Sequence, residues 1–180
     1  NFYETMCFGI PNVADSLEAI EKFVFTEKKY TQKQILDILK SDFADENIRL
    51  EFKNIPAKFG NDIDSVDFKA HDVLKHFCTY LKTQKSYYGM GYFPQPFTFL
   101  WLVDTGRQTM ATPDGRKSGE NLAYSVSPMQ GVDTSGLTAT FNSIAKLPHK
   151  LCAGSTSAII GIEPSVFKNG DIYKLTTLVK

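Results

Sequence analysis

Neither sign of charge is in excess in this sequence, since Lys and Arg together number 20 and Asp and Glu also number 20. A chain without a basic face has no electrostatic footprint for nucleic acid or for an anionic membrane surface. No apolar run approaches the roughly 20 residues needed to span a bilayer, and the N-terminus lacks the charged-then-apolar pattern of a secretory signal. A cytoplasmic setting is therefore expected. The three cysteines, Cys7, Cys78 and Cys152, are odd in number and widely spaced. That fits neither a disulfide framework nor a paired metal knuckle, so all three are read as reduced thiols serving as small apolar residues.

What is present is apolar and aromatic: 42% hydrophobic and 13% aromatic residues in 180, enough for one ordinary domain. The chain begins at Asn1 without an initiator Met and stops at Lys180 inside an apolar-containing run with no capping signal. Both ends read as cut, so an internal piece of a longer polypeptide is expected.

The first half, residues 1–92, reads as mainly helical. Val13, Leu17, Ile20 and Val24 recur on one stripe of a helix that Asp15 or Ser16 could start, and that stripe is expected to be buried. Thr31-Gln-Lys-Gln34 has capping-box spacing and opens a second helix ending near Phe43. A short helical piece over 47–54 gives way to Pro56 and a turn at Phe59-Gly-Asn-Asp62. The longest helix is expected over 65–85, with Val66, Ala70, Val73, Phe77 and Leu81 inward.

Residues 93–180 change character. The runs 97–103 and 156–162 are nearly continuous apolar stretches, the pattern of strands covered on both faces. Between them, 104–136 is dense in Gly, Pro, Ser, Thr and Asp, too long a loop for a compact domain unless it has a function or packs on other chain. A helix over Leu137, Phe141, Ile144 and Ala145 stops at Pro148, and Lys168-Asn-Gly-Asp171 is a turn. The whole is expected to be α/β, a single partial domain over 1–180 whose further strands lie outside it.

The sharpest local feature is Ala111-Thr-Pro-Asp-Gly-Arg-Lys-Ser-Gly119. Pro113, Asp114 and Gly115 form a turn, with Arg116 and Lys117 as exposed donors. As a phosphate cradle it fails on spacing, because a P-loop needs Gly-x4-Gly-Lys-Ser/Thr. His71 and His76 are five apart on a helix, roughly 140° around it, and cannot share a metal from one face. His149 reads as a surface or hydrogen-bonded side chain, and no metal site is expected.

Thr112-Pro-Asp-Gly-Arg-Lys-Ser-Gly119, Ser127-Pro-Met-Gln-Gly131, Asp133-Thr-Ser-Gly-Leu-Thr-Ala139 and Ser143-Ile-Ala-Lys-Leu-Pro148 resemble, in order and spacing, the late barrel segment of glycyl radical enzymes, the pyruvate formate-lyase and diol dehydratase relatives. Asn12-Val-Ala-Asp-Ser-Leu17 and Lys58-Phe-Gly-Asn-Asp62 resemble two earlier segments. The resemblance implies a ten-stranded α/β barrel wrapped in helices. It also implies a protein glycyl radical installed by a separate radical S-adenosylmethionine activating enzyme, a homodimer, and a small-molecule substrate. The family's cysteine loop (Gly-Cys-x-Glu or Cys-Cys) and its Arg-Val-x-Gly-Tyr radical motif do not occur in the sequence. No catalytic residue is assigned, and the chain alone is expected to be inactive.

What the resemblance leaves to this chain is barrel scaffold, to be completed by flanking segments, and a piece of pocket wall. The family places substrate-contacting side chains on the strand before the Thr-Pro-Asp-Gly turn, which makes Phe97, Phe99 and Trp101 the candidates. Strand alternation would put these three on one face. Two functions stay open: a segment of a formate acyltransferase or radical lyase, and a non-catalytic α/β module or binding domain.

Overall fold

The computed structural model describes residues 2–98, 100–162 and 176–177. Two parallel strands, β1 (Phe2–Met6) and β2 (Gly91–Gln95), pair in register from Phe2 opposite Gly91 to Met6 opposite Gln95. Parallel neighbours need a long crossover, and here four helices fill it: α1 (Ile10–Ile20), α2 (Gln32–Lys40), α3 (Glu46–Lys53) and α4 (Asp64–Thr83). After β2 come α5 (Trp101–Arg107), α6 (Leu137–Ala145) and a 3-10 turn at His149–Leu151.

α1 starts earlier than expected, at Ile10 with Pro11 in its first turn, after Gly9 at φ 71°. Proline suits that position because its missing N–H would have no intrahelical partner. Asp15 and Ser16 are thus mid-helix and buried, and cap nothing. Half of the stripe expected inside faces out: Val13 is 41% and Leu17 39% exposed, while Ile20 and Val24 are half-buried. Ala14 and Ala19 face inward instead, and against α4 the fully buried Ala14, Val66 and Ala70 let the two helices approach closely. A π-helical turn, Glu21–Thr26, extends α1 and buries Phe23.

α2 carries the capping box that its sequence spelled: Thr31 Oγ1 accepts from Gln34 N at 3.2 Å, and Gln34 Oε1 accepts from Thr31 N at 2.8 Å. α3 is capped by Asp45, whose carboxylate accepts from Asn47 N at 2.8 Å. α4 spans the expected stretch, but its buried stripe is Val66, Ala70, Leu74, Cys78 and Leu81; Val73 and Phe77, expected inward, are half-buried at its edge. Two cores result. One surrounds α4 with Ile10, Phe59, Val126 and Leu147; the other stacks Phe23, Phe43 and Phe52, with ring centroids of Phe23 and Phe52 4.6 Å apart.

The strand expected over 97–103 is not there. The strand is β2, just before it and containing Pro94, while Trp101 opens α5. A short apolar run does not distinguish strand from helix by periodicity, and proline inside Tyr92-Phe93-Pro94-Gln95 hid the true strand. The run 156–162 is not a strand among the described residues either, and Ile159 is 44% exposed. It nevertheless runs alongside 125–127 through serine hydroxyls. Ser157 Oγ donates to Ser125 Oγ (2.9 Å), Ile159 N donates to Ser127 Oγ (2.8 Å), and Val126 N donates to Ser157 O (3.3 Å). The turn expected at 168–171 lies outside the described residues.

Candidate functional site

Two features gather the residues singled out by the sequence: a buried polar seam and an apolar hollow. The seam starts at Asp114. Its carboxylate accepts from Thr112 Oγ1, from Arg116 N at 3.4 Å and from Asn12 Nδ2 at 2.7 Å. Asn12 turns its amide oxygen to Ala123 N at 2.8 Å. Lys58 Nζ donates to the main-chain oxygen of Asp114 at 2.9 Å, and Phe59 N donates to Asp15 Oδ1 at 2.8 Å.

Arg116, expected to be an exposed donor, is 3% exposed. Its guanidinium donates to four main-chain oxygens, those of Lys117, Glu120, Thr109 and Met110. Five donors in a rigid fork suit that task. Lys117 is half-exposed and pairs with Glu46 at 3.4 Å. Far from being a solvated turn, 112–119 is folded around one buried aspartate and one buried arginine. At Gly115, φ is +90° and a Cβ would lie 2.6 Å from Lys53 N, so the glycine is needed for both backbone conformation and close approach.

The seam runs on through the other resembling segments. Gly60 lies against Pro128, whose Cγ would be 2.2 Å from a Cβ there. Asn61 Nδ2 donates to Lys58 O (3.1 Å) and Val132 O (2.8 Å), while its Oδ1 accepts from Ser135 N (2.9 Å). Lys146 Nζ gathers Asp62 and Asp64 at 2.7 Å and Asp67 at 2.9 Å. Ser143 Oγ donates to Asp67 at 2.9 Å and accepts from Asp62 N at 2.9 Å. Segments scattered over 12–148 are thus one contiguous network. Sequence reading had Asp15 at a helix start, Asp114 in a turn and Arg116 as an exposed donor, and gave none of these residues a place in a buried network. The available signal was the order of the resembling motifs, which marked the segments and not their contacts.

Burial governs the charges. Desolvation pushes Asp15 up to about 7, with the Lys58 ammonium and the Phe59 N–H pulling it back. Burial likewise lowers Lys58, against the attraction of Asp15 and Asp114, and lowers Arg116. Asp67 is raised by burial despite Lys146. For Lys146, burial works downward, but the three carboxylates prevail and hold it above the ordinary lysine range. A cavity of about 60 Å³ opens among Asp15, Lys58, Asp114 and Arg116. Charged side chains of both signs line it, Lys53 and Glu120 beside these four.

The hollow sits at the C-terminal ends of both strands, where open α/β sheets receive ligands. Met6, Phe97, Thr98, Leu100 and Trp101 line about 130 Å³. Phe97 and Trp101 therefore share a wall, although one precedes α5 and the other opens it. Phe99 lies outside the described residues. Trp101 is 53% exposed and meets Phe8 edge-on, centroids 6.4 Å apart. Thr98 is buried, its amide donating to Ser125 Oγ at 2.8 Å. Its own hydroxyl has no hydrogen-bond partner among the described residues.

The remaining candidates are structural. His71 Nδ1 lies 2.7 Å from Lys146 O, and His149 Nε2 lies 2.7 Å from Ile144 O, as the sequence reading of His149 expected. Among the described residues no three His, Cys, Asp or Glu side chains are arranged to hold a metal ion, and no helix is long and apolar enough to cross a membrane.

Residues 1–105 match the pyruvate formate lyase-like family and residues 122–180 the glycine radical domain. The chain belongs to the glycyl radical enzyme family. It is 35% identical to the Escherichia coli (strain K12) protein Probable dehydratase YbiW, over 96% of this chain and 22% of that protein. The B12-independent glycerol dehydratase from Clostridium butyricum, solved with glycerol bound, superposes with a TM-score of 0.90 at 37% identity, over 99% of this chain and 23% of its own. A structure describing 1,2-propanediol dehydration in Roseburia inulinivorans superposes equally well, TM-score 0.90 at 33% identity, over 99% of this chain and 24% of its own. The chain thus spans about a quarter of the length of these relatives, and the α/β fold is that of their barrels.

Proposed function

We propose that this chain is a barrel segment of a glycyl radical dehydratase, supplying scaffold and one wall of the substrate chamber. The observation that carries the reading is the hollow at the C-terminal ends of β1 and β2, where Met6, Phe97, Leu100 and Trp101 make an apolar wall and Thr98 is the polar residue among them. Dehydratase is favoured over formate acyltransferase by the relatives, which include a glycerol dehydratase and a protein of 1,2-propanediol dehydration. The substrate class is a small hydroxylated molecule, with Thr98 offering one hydrogen bond and the aromatic rings excluding water.

The glycyl radical supplies one-electron chemistry through a cysteine. Neither the radical motif nor the cysteine loop occurs in these 180 residues, so this chain's part is to bind and orient. The radical residue, its cysteine and the surface for the activating enzyme are assigned to the rest of the polypeptide. The outer stripe of α1 supports that division. Val13, Leu17 and Ile20, with Pro113 and Leu122, flank an apolar groove of about 460 Å³, and Ile20 and Pro113 continue it to Leu36 and Leu39 of α2. An apolar surface of that extent is a contact surface for further protein; we assign it to the remaining barrel helices.

The test is Trp101→Ala in the protein in its full natural length, activated anaerobically. The expected result is an altered preference among 1,2-propanediol, glycerol and bulkier diols, with the radical signal intact. Loss of stability with an unchanged preference order would leave Trp101 a packing residue and overturn the wall assignment.

A further inference from the structure

The three cysteines, unrelated in sequence, converge in space. Cys7 follows β1, with its amide donating to Gln95 O at 3.2 Å. Cys78 lies in the last turns of α4, and Cys152 directly follows the 3-10 turn, its amide donating to His149 O at 2.9 Å. All three belong to one apolar core, Cys78 and Cys152 as buried members and Cys7 half-buried against them. The sulfurs of Cys78 and Cys152 are 3.8 Å apart across 74 residues of sequence.

We propose that Cys78 and Cys152 form an oxidisable dithiol, a modification site that peroxide closes to a disulfide fastening the 3-10 turn to α4. The geometry favours this pair over any involving Cys7. Their sulfurs are in van der Waals contact, and a disulfide needs them at about 2.05 Å, so the closing movement is under roughly 2 Å. That movement falls to the Cys152 side. Cys78 is held in a 20-residue helix, whereas Cys152 ends a single 3-10 turn and enters an irregular stretch.

The chemistry balances with one hydrogen peroxide. The peroxide oxidises one thiol to a sulfenic acid and leaves as water; the second thiol displaces the hydroxyl as a second water and forms the S–S bond. Two protons and two electrons leave the sulfurs and reduce the peroxide. Cys152, a residue 8% exposed against 0% for Cys78, is the nearer to solvent, and its sulfur is the one that attacks the peroxide first. Burial pushes Cys7 and Cys152 up to about 12 and raises Cys78, so the thiols stay protonated and the pair responds to sustained oxidant rather than to traces.

Closure has a direction. Two residues after Cys152, Gly154 N donates to Pro94 O at 3.1 Å, and Ser155 Oγ accepts from Gln95 Nε2 at 2.9 Å. A Cys152 drawn toward α4 pulls on the C-terminal end of β2, which leads into Phe97 and Thr98. Oxidation is therefore expected to disturb the hollow without touching it.

The experiment takes the protein in its full natural length, reduced and anaerobic, treats it with a few-fold excess of hydrogen peroxide, and blocks remaining thiols with iodoacetamide before peptide mapping. The expected product is one cross-linked peptide joining Cys78 and Cys152, lighter by two hydrogens and restored by dithiothreitol. It should persist in Cys7→Ser and vanish in both Cys78→Ser and Cys152→Ser. A cross-link through Cys7, sulfinic acid without cross-link, or full alkylation of all three cysteines after peroxide would each overturn the proposal. The wild-type map alone decides among these, whether or not the variants fold.

Discussion

Lys58 Nζ sits 2.9 Å from the main-chain oxygen of Asp114, joining the loop before α4 to the turn after α5 across 56 residues of sequence. Both residues are buried, 3% and 6% exposed, and the Asp15 carboxylate lies beside them. An ammonium in that place offsets a carboxylate and satisfies a carbonyl that would otherwise be unpaired.

Lys58→Met should therefore cost about 2 kcal/mol, because it leaves the buried Asp114 carbonyl without its donor and takes the offsetting charge from Asp15. Denaturant titration measures the loss. The same variant should raise the Asp15 midpoint above its present value of about 7, since Lys58 is the counter-charge that holds it down. A carboxyl carbon titration by NMR reads that shift, and an unmoved midpoint would separate the two residues electrostatically.

The pH dependence of stability carries a sign that identifies Asp15. Its folded value of about 7 lies above the roughly 4 of an unfolded aspartate, so the native state holds an extra proton between those values. The contribution of this group is fully present below about pH 4 and is lost as pH rises through about 7. Asp15→Asn should flatten stability across that window, while the acid-side loss from the ion-paired Glu46 and Asp62, both lowered by their partners, persists in the variant. Urea midpoints at half-unit pH steps are the measurement.

Two glycines of one motif should respond differently. Gly115 and Gly119 have φ of +90° and +81°, but a Cβ on Gly115 would meet Lys53 main-chain atoms at 2.6 and 2.7 Å, whereas Gly119 has nothing within 4 Å. Gly119→Ala should cost about 1 kcal/mol for the left-handed backbone alone. Gly115→Ala should cost at least about 2 kcal/mol more, because main chain and not a flexible side chain stands in the way. Thermal melts of the pair test the difference.

How far sequence reached follows from what periodicity encodes. The α2 capping box and the span of α4 are local patterns, and both appear where their residues put them. The outward turn of Val13 and Leu17 is not local: which stripe of α1 goes inside is decided by the small Ala14 and Ala19, and that requires knowing the partner surface. The seam was legible only as a set of motifs in order. Nothing in Asn12 or Asp114 alone announces a 2.7 Å contact across 102 residues. Of the pocket candidates, Phe97 and Trp101 share a wall, but by a bend into α5 rather than by strand alternation. The convergence of the cysteines had no sequence signal at all.

Thr98 offers the sharpest separation of structure from binding. Its hydroxyl is buried and has no partner among the described residues, whereas its amide is already satisfied by Ser125 Oγ at 2.8 Å. An unsatisfied buried hydroxyl costs about 1–3 kcal/mol. Thr98→Val keeps the shape and removes the penalty, so the folded protein should be as stable as the parent or more so. If the hydroxyl waits for a substrate oxygen, the same change should raise KM for a small diol about tenfold in the full-length enzyme, a loss of roughly 1.4 kcal/mol, and leave kcat nearly unaltered. Greater stability combined with weaker substrate binding would place Thr98 in the chamber wall; greater stability with unchanged KM would make it a buried polar group with no part in binding.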